Sequence, residues 1–125
     1  MRDEFLSKTK EVIRKRAGYI CSNPDCRALT LAGSENENDK VQCIGIVAHI
    51  KPASPNGPRG EDTSVEQDRS SIDNGIYLCS NCASMIDKNR GVDFPETLLK
   101  EWKRSHELWI RTNLNKQQLN NSQVI

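Results

Sequence analysis

Two short-spaced cysteine pairs constrain the fold of this chain more than any other feature of its sequence. Cys21 and Cys26 form the first pair, and Cys79 and Cys82 form the second pair much later in the chain. Four thiolates from two such pairs form a ligand set that fills the tetrahedral coordination of one zinc ion. A closed site of this kind organises a fold and performs no chemistry, so catalytic residues have to be sought elsewhere.

The composition indicates that a metal site would contribute much of the stability. The chain has 125 residues, of which 35% are hydrophobic and 5% aromatic, enough for one domain with a small core. Structural zinc contributes about 10–16 kcal/mol of apparent free energy. Because this is comparable to the whole stability of a small domain, we expect the metal-free chain to be poorly folded.

The cysteine count and the N-terminus indicate a reducing environment. Five cysteines are an odd number, and residues 1–4 offer no apolar run that resembles a secretory signal. A cytoplasmic location is therefore expected, where paired cysteines bind metal more often than they form disulfides, which remain the alternative. The apolar stretch near residues 43–48 is too short to span a membrane. Cys43, the fifth cysteine, is expected to be a small buried strand residue.

Hydrophobic periodicity and turn residues predict an α+β domain over residues 1–113, followed by a polar tail or tether over residues 114–125. Apolar residues at helical spacing, β-branched runs and clusters of Pro and Gly identify the individual elements. The predicted helices cover residues 3–17, about two turns up to Asp87, and residues 95–113; the strands cover 41–50 and 76–78, and the loops 31–40 and 51–72.

Several short motifs follow one another in a family-like order. They are Val47-Ala48-His49-Ile50, then Gly57-Pro58-Arg59-Gly60, then the stretch 72–82 that contains Asn74 and the second cysteine pair, then Met85-Ile86-Asp87. In this order the chain resembles the HNH endonucleases over about residues 12–107. The resemblance implies a small α+β, treble-clef-like ββα-metal fold that zinc stabilises, with flanking N- and C-terminal helices.

The resemblance also implies an activity, the hydrolysis of DNA phosphodiester bonds with one divalent cation, usually Mg²⁺ or Mn²⁺. His49 matches the general base, which needs a pKa near the working pH. Asn74 matches the residue whose amide ties the loop to the second strand and so fixes the base. Without the motif, His49 is more often a packed residue, and Asn74 is equally well a turn residue.

Ala83 departs from the family pattern. In the family, the residue directly after the second cysteine pair is a histidine or asparagine that binds the catalytic cation. Alanine has no ligand atom, so we expect a weak or inactive nuclease. A lone change in intact surroundings would also suit an engineered inactivating substitution. Ala48 stands where many relatives carry an aspartate ligand, although others have alanine; Asp87 and Asp73 are the remaining candidate cation ligands.

The expected partner is DNA, held mainly through its backbone. Lys51, Arg59 and Arg69 flank the candidate site and can contact phosphates, with ordinary surface charges as the alternative. The net charge of +1 neither requires nor excludes such a partner. The family resemblance suggests an effector of bacterial restriction or antiphage defence with a regulatory or sensor protein, or a homodimer, as partner. The alternatives are a non-catalytic zinc-containing module that binds DNA or protein, and a treble-clef domain in which His49 is incidental.

Overall fold

The computed structural model describes residues 4–52 and 69–117, which form a small α+β assembly of three helices and two small sheets. This confirms the α+β class expected from the sequence. The helices and strands, in chain order, are α1 (Ser7–Arg16), β1 (Leu31–Gly33), β2 (Val41–Cys43), β3 (Gly45–His49), β4 (Gly75–Cys79), α2 (Ser80–Asp87) and α3 (Glu96–Thr112). Two 3-10 turns cover Ile72–Asn74 and Lys88–Gly91.

Both sheets are antiparallel pairs, one of β1 with β2 and the other of β3 with β4. The single strand expected over residues 41–50 is therefore wrong, as is the expectation that residues 31–40 are entirely loop. The chain changes sheets at Ile44, whose N–H donates to the Thr30 carbonyl and whose carbonyl accepts from the Ser80 N–H, both at 2.9 Å. Those partners lie outside both sheets, so the run of apolar residues gives no sign of the break.

The two faces of the β3–β4 pair pack against two different clusters of buried residues. Side chains alternate along each strand, so Ala48 packs against one cluster of buried residues while Val47 packs against another. The first cluster joins the pair to α2 and α3 through Ile50, Ile76, Leu78, Ile86, Leu99 and Trp102. The second joins it to α1 through Ile13, Ala17 and Tyr77.

Helix α3 contributes a stripe of buried side chains, as its periodicity predicts. Leu99 and His106 are fully buried, and Trp102 is 9% exposed. The His106 Nε2 atom lies 3.0 Å from the Ala17 carbonyl, which connects α3 to the end of α1. Within the described residues, none of the helices has both the length and the apolar character needed to cross a membrane.

The β2 strand corrects the expectation for Cys43. This residue is exposed, not buried, although its thiol lies 3.3 Å from the Tyr77 hydroxyl. The hydroxyl is also 2.7 Å from Thr30 Oγ1, and burial raises the pKa of Tyr77 to about 12. The buried residue at this point is therefore Tyr77, and the exposed Cys43 packs against its hydroxyl.

Candidate functional site

The two cysteine pairs come together in space. The sulfur atoms of Cys21, Cys26, Cys79 and Cys82 all lie within 4.8 Å of one another, and those of Cys26 and Cys79 are 3.9 Å apart. A tetrahedral site with Zn–S bonds of about 2.3 Å places its sulfurs about 3.8 Å apart. All five cysteines of the chain lie in the described ranges and are free thiols. The cluster fits one metal ion such as zinc, as the sequence predicts.

Backbone hydrogen bonds around Cys21 and Cys26 hold this first pair of thiols close to the second pair. The Ser22 N–H donates to the Tyr77 carbonyl at 2.9 Å, which attaches the loop to β4. Asn23 closes the loop, because its carbonyl accepts from Cys26 N–H at 2.9 Å and its Nδ2 lies 3.4 Å from the Cys82 sulfur. Sequence reasoning missed this second role of Asn23, since the stretch Cys21–Cys26 indicates only a turn.

The second pair lies where β4 ends and α2 begins. The Cys79 sulfur caps α2 by accepting a hydrogen bond from Cys82 N–H at 3.4 Å. Burial acts to raise the pKa of Cys79, but hydrogen bonds, first among them that from Cys82 N–H, outweigh it and lower the pKa. Burial raises the pKa values of Cys21 and Cys82. A bound metal ion would favour the thiolate form of these two buried thiols.

Asn74 joins the two sides of the long predicted loop. Its side chain is buried, and its Oδ1 accepts from Lys51 N–H at 2.7 Å. Its Nδ2 donates to the carbonyls of Lys51 at 3.0 Å and Arg69 at 2.8 Å. These contacts, here called the Asn74 brace, attach Lys51 and Arg69 to the residue directly before β4; a role of Asn74 in fixing the base stays a prediction.

His49 is the last residue of β3 and pairs with Gly75, the first residue of β4. Its ring is half-buried and stacks on Phe5, with ring centroids 4.1 Å apart and planes 17° from parallel. Phe5 precedes α1, and the spacing of apolar residues around Phe5 indicates only a core position. The contact depends on how α1 packs on the sheet, which the local sequence does not determine.

Ala83 and Ala48 lie in the apolar core. Ala83 is 7% exposed on α2 and belongs to the cluster against which Ala48 packs. At both positions where the family resemblance places cation ligands, this chain therefore has methyl groups in apolar surroundings. Strand alternation puts Ala48 and His49 on opposite faces of β3.

The two candidate carboxylates are exposed. Asp87 ends α2, and Asp73 lies in the 3-10 turn before β4. Across residues 4–52 and 69–117, the cysteine cluster is the only group of three or more Cys, His, Asp or Glu side chains close enough to share an ion. Neither aspartate is brought into such a group, so a role for them in cation binding stays a prediction.

The candidate DNA contacts are only partly described. Lys51 follows the β3 end, and its Nζ is 3.9 Å from a Glu96 carboxylate oxygen, which in turn lies 3.0 Å from Lys100 Nζ. Arg69 contributes its backbone carbonyl to the Asn74 brace. Arg59 lies outside the described residues. The structure thus places Lys51 and Arg69 beside Asn74.

Comparison with known proteins names no family for this chain. No model of a known protein family matches it, and a search of curated protein sequences gives no significant match.

Proposed function

We propose that this chain is an HNH-type endonuclease domain of the ββα-metal kind, and that Ala83 impairs its catalysis. The observation that carries the proposal is the Asn74 brace, which connects Lys51 and Arg69 immediately beside the His49–Gly75 pair. A surface turn residue needs no such set of buried contacts. The adjoining cysteine cluster, at the start of α2, supports the same proposal.

In this mechanism, His49 acts as the general base. Its imidazole takes a proton from water as the water oxygen bonds to phosphorus, and the bond from phosphorus to the leaving oxygen of the DNA breaks. Asn74 holds the backbone on both sides of the loop, so that the strand end carrying His49 keeps one position. A bound Mg²⁺ or Mn²⁺ would stabilise the charge on the leaving oxygen, a contribution of several kcal/mol. Ala83 provides no ligand atom for that ion.

The proposed substrate is DNA, bound through its phosphates. Lys51 and Arg69 both contact Asn74 through backbone groups and are proposed phosphate contacts; the sequence adds Arg59 as a third candidate. Recognition through phosphates predicts that affinity falls steeply as salt rises. We further propose a role as an effector in restriction or antiphage defence, controlled by a regulatory or sensor protein or by dimerisation.

A non-catalytic binding module is the second candidate. Ala48 and Ala83 pack in one apolar cluster, which suits a domain that has lost its cation site and retains the zinc-stabilised scaffold. Such a module would bind DNA or protein through the same surface without cutting it.

Restoring the missing ligand separates the two candidates. Plasmid DNA is incubated with Mg²⁺ or Mn²⁺ and the zinc-loaded chain as written, Ala83→His, or Ala83→His combined with His49→Ala. Ser84→His is the matched control, because it places the same imidazole on the exposed neighbouring residue of α2.

We expect cleavage from Ala83→His alone. A folded, zinc-loaded Ala83→His chain that leaves the plasmid intact would favour the binding module. Equal cleavage by Ser84→His would show that the position of the imidazole does not matter, which contradicts the proposed site.

A further inference from the structure

The stacking of Phe5 on His49 joins the N-terminal segment to the candidate site. Phe5 is 5% exposed, and the two rings are nearly parallel with centroids 4.1 Å apart. Leu6, the next residue, is 73% exposed. Of the described residues before α1, which begins at Ser7, Phe5 is the buried one.

Gly75 makes room for this contact. A Cβ atom at Gly75 would lie 3.3 Å from Phe5 Cζ and 2.4 Å from Ile13 Cδ1. Both apolar side chains thus pack against the bare backbone of the residue that pairs with His49. A side chain at position 75 would clash with Ile13 and crowd Phe5.

The backbone at the His49 position is already held by other contacts. Ile50 N–H donates to the Asn74 carbonyl at 2.9 Å, which makes His49 and Gly75 a non-hydrogen-bonded pair of the antiparallel ladder. The Gly75 carbonyl then points away from β3, where Lys103 Nζ donates to it at 2.7 Å. These bonds hold the backbone at the strand end, whereas the Phe5 ring contacts the imidazole itself.

We propose that Phe5 is a positioning residue that fixes the plane of the His49 imidazole. This inference rests on the proposed function, since it assigns to Phe5 the orientation of the general base. The Phe5 ring lies against a face of the imidazole, whereas a proton is accepted at the ring edge, so this contact does not itself block the nitrogens. An aliphatic side chain of similar size fills the same space without selecting one plane.

Orientation of the base affects the chemical step more than substrate binding. A misplacement of about 1 Å in a catalytic group can lower the rate about a hundredfold. In the Ala83→His background, we therefore expect Phe5→Leu to lower kcat about tenfold or more. KM should change less than about twofold, because Phe5 is buried and does not face the substrate.

Ile13→Val is the matched control for damage to the core. It removes one methyl group from another side chain that packs over Gly75, and it leaves the ring against His49 in place. Thermal unfolding of both variants shows whether the fold survives. If Ile13→Val lowers kcat as much as Phe5→Leu does, or if Phe5→Leu leaves kcat unchanged, the positioning role is refuted.

Proton NMR of the chain as written tests the contact without any activity. The chain has two histidines, so a His49→Ala spectrum assigns the imidazole signals, and buried His106 reports on the fold. We expect the carbon-bound ring protons of His49 to be shifted upfield by the Phe5 ring, and to lose that shift in Phe5→Leu but not in Ile13→Val. Unchanged His49 signals in Phe5→Leu would overturn the inference. An inactive Ala83→His chain that keeps the ring shift would refute the proposed nuclease function instead.

Discussion

At the scale of single residues, Asn74 is the best-defined part of the candidate site, because its side-chain amide is fully hydrogen-bonded. Its amide oxygen and nitrogen are both used, and the partners are backbone groups 23 and 5 residues away in sequence. A buried amide of this kind stabilises because each partner would otherwise lose a hydrogen bond inside the protein. The turn-like surroundings of Asn74 in the sequence do not reveal these partners.

Replacing Asn74 by aspartate should therefore be costly despite the equal size of the two side chains. The Asn74→Asp variant keeps an acceptor for Lys51 N–H but has no donors for the carbonyls of Lys51 and Arg69. Each of the two carbonyls that loses this donor costs about 1–3 kcal/mol, so we expect the free energy of unfolding to fall by about 2–6 kcal/mol. Urea unfolding of the zinc-loaded protein measures it.

The control for this prediction is Asn36→Asp, at an exposed position in the β1–β2 connection. Its effect should stay within about 0.5 kcal/mol. Equal losses in the two variants would mean that the Asn74 hydrogen bonds contribute little stability.

At the scale of elements, the β3–β4 pair depends on two glycines that face α1. Gly75 admits Ile13 and Phe5, and Gly45 admits the Tyr77 hydroxyl, which would lie 1.8 Å from a Cβ at position 45. That hydroxyl contacts Thr30, which directly precedes β1, and Cys43, which ends β2. Gly45 therefore lets β3 lie close to the buried tyrosine on the adjacent strand.

Gly45→Ala should force the Tyr77 ring out of this position. Overpacking of a buried contact costs about 1–3 kcal/mol, and displacement of the hydroxyl would also break its hydrogen bonds. Gly33→Ala, in strand β1, is the matched control, because a Cβ there meets no atom within 4 Å. We expect Gly33→Ala to be neutral or to stabilise by up to about 1 kcal/mol. Denaturant unfolding compares the two, and similar values would contradict the close contact.

At the scale of the whole molecule, the cysteine cluster and the larger core are continuous. Cys21, Cys79 and Cys82 belong to the same buried cluster as the apolar residues of α2 and α3. The metal site therefore joins the loop after α1, the end of β4 and the start of α2 at one point. Loss of the ion would leave the buried thiols without a metal to bind at the centre of a small core.

Removal of zinc should abolish cooperative unfolding. We expect mass spectrometry of the native protein to show one zinc ion per chain, and chelation to collapse the thermal transition followed by circular dichroism. Cys26→Ser should lose the ion, whereas Cys43→Ser should keep it, because Cys43 lies outside the cluster. A chelated chain that retains its helical signal and its cooperative transition would show that the metal is dispensable for folding.

The sequence by itself determined which residues form the metal cluster and which segments form helices α2 and α3. Those features depend on local spacing: the CxxC pair opens α2, and apolar residues at helical intervals define α3. The sequence did not predict that residues 41–50 are divided between two sheets, because the break at Ile44 depends on hydrogen bonds to Thr30 and Ser80.

The contacts around the candidate catalytic residues were decided only by the tertiary structure. The sequence identifies His49, Asn74 and Ala83 as a set, since their order resembles a family. It does not show that Phe5 stacks on His49 or that Ala83 packs in the core. These contacts arise when α1 and α2 pack on opposite faces of the β3–β4 pair, and they join residues distant in the chain whose local patterns indicate only that each is apolar.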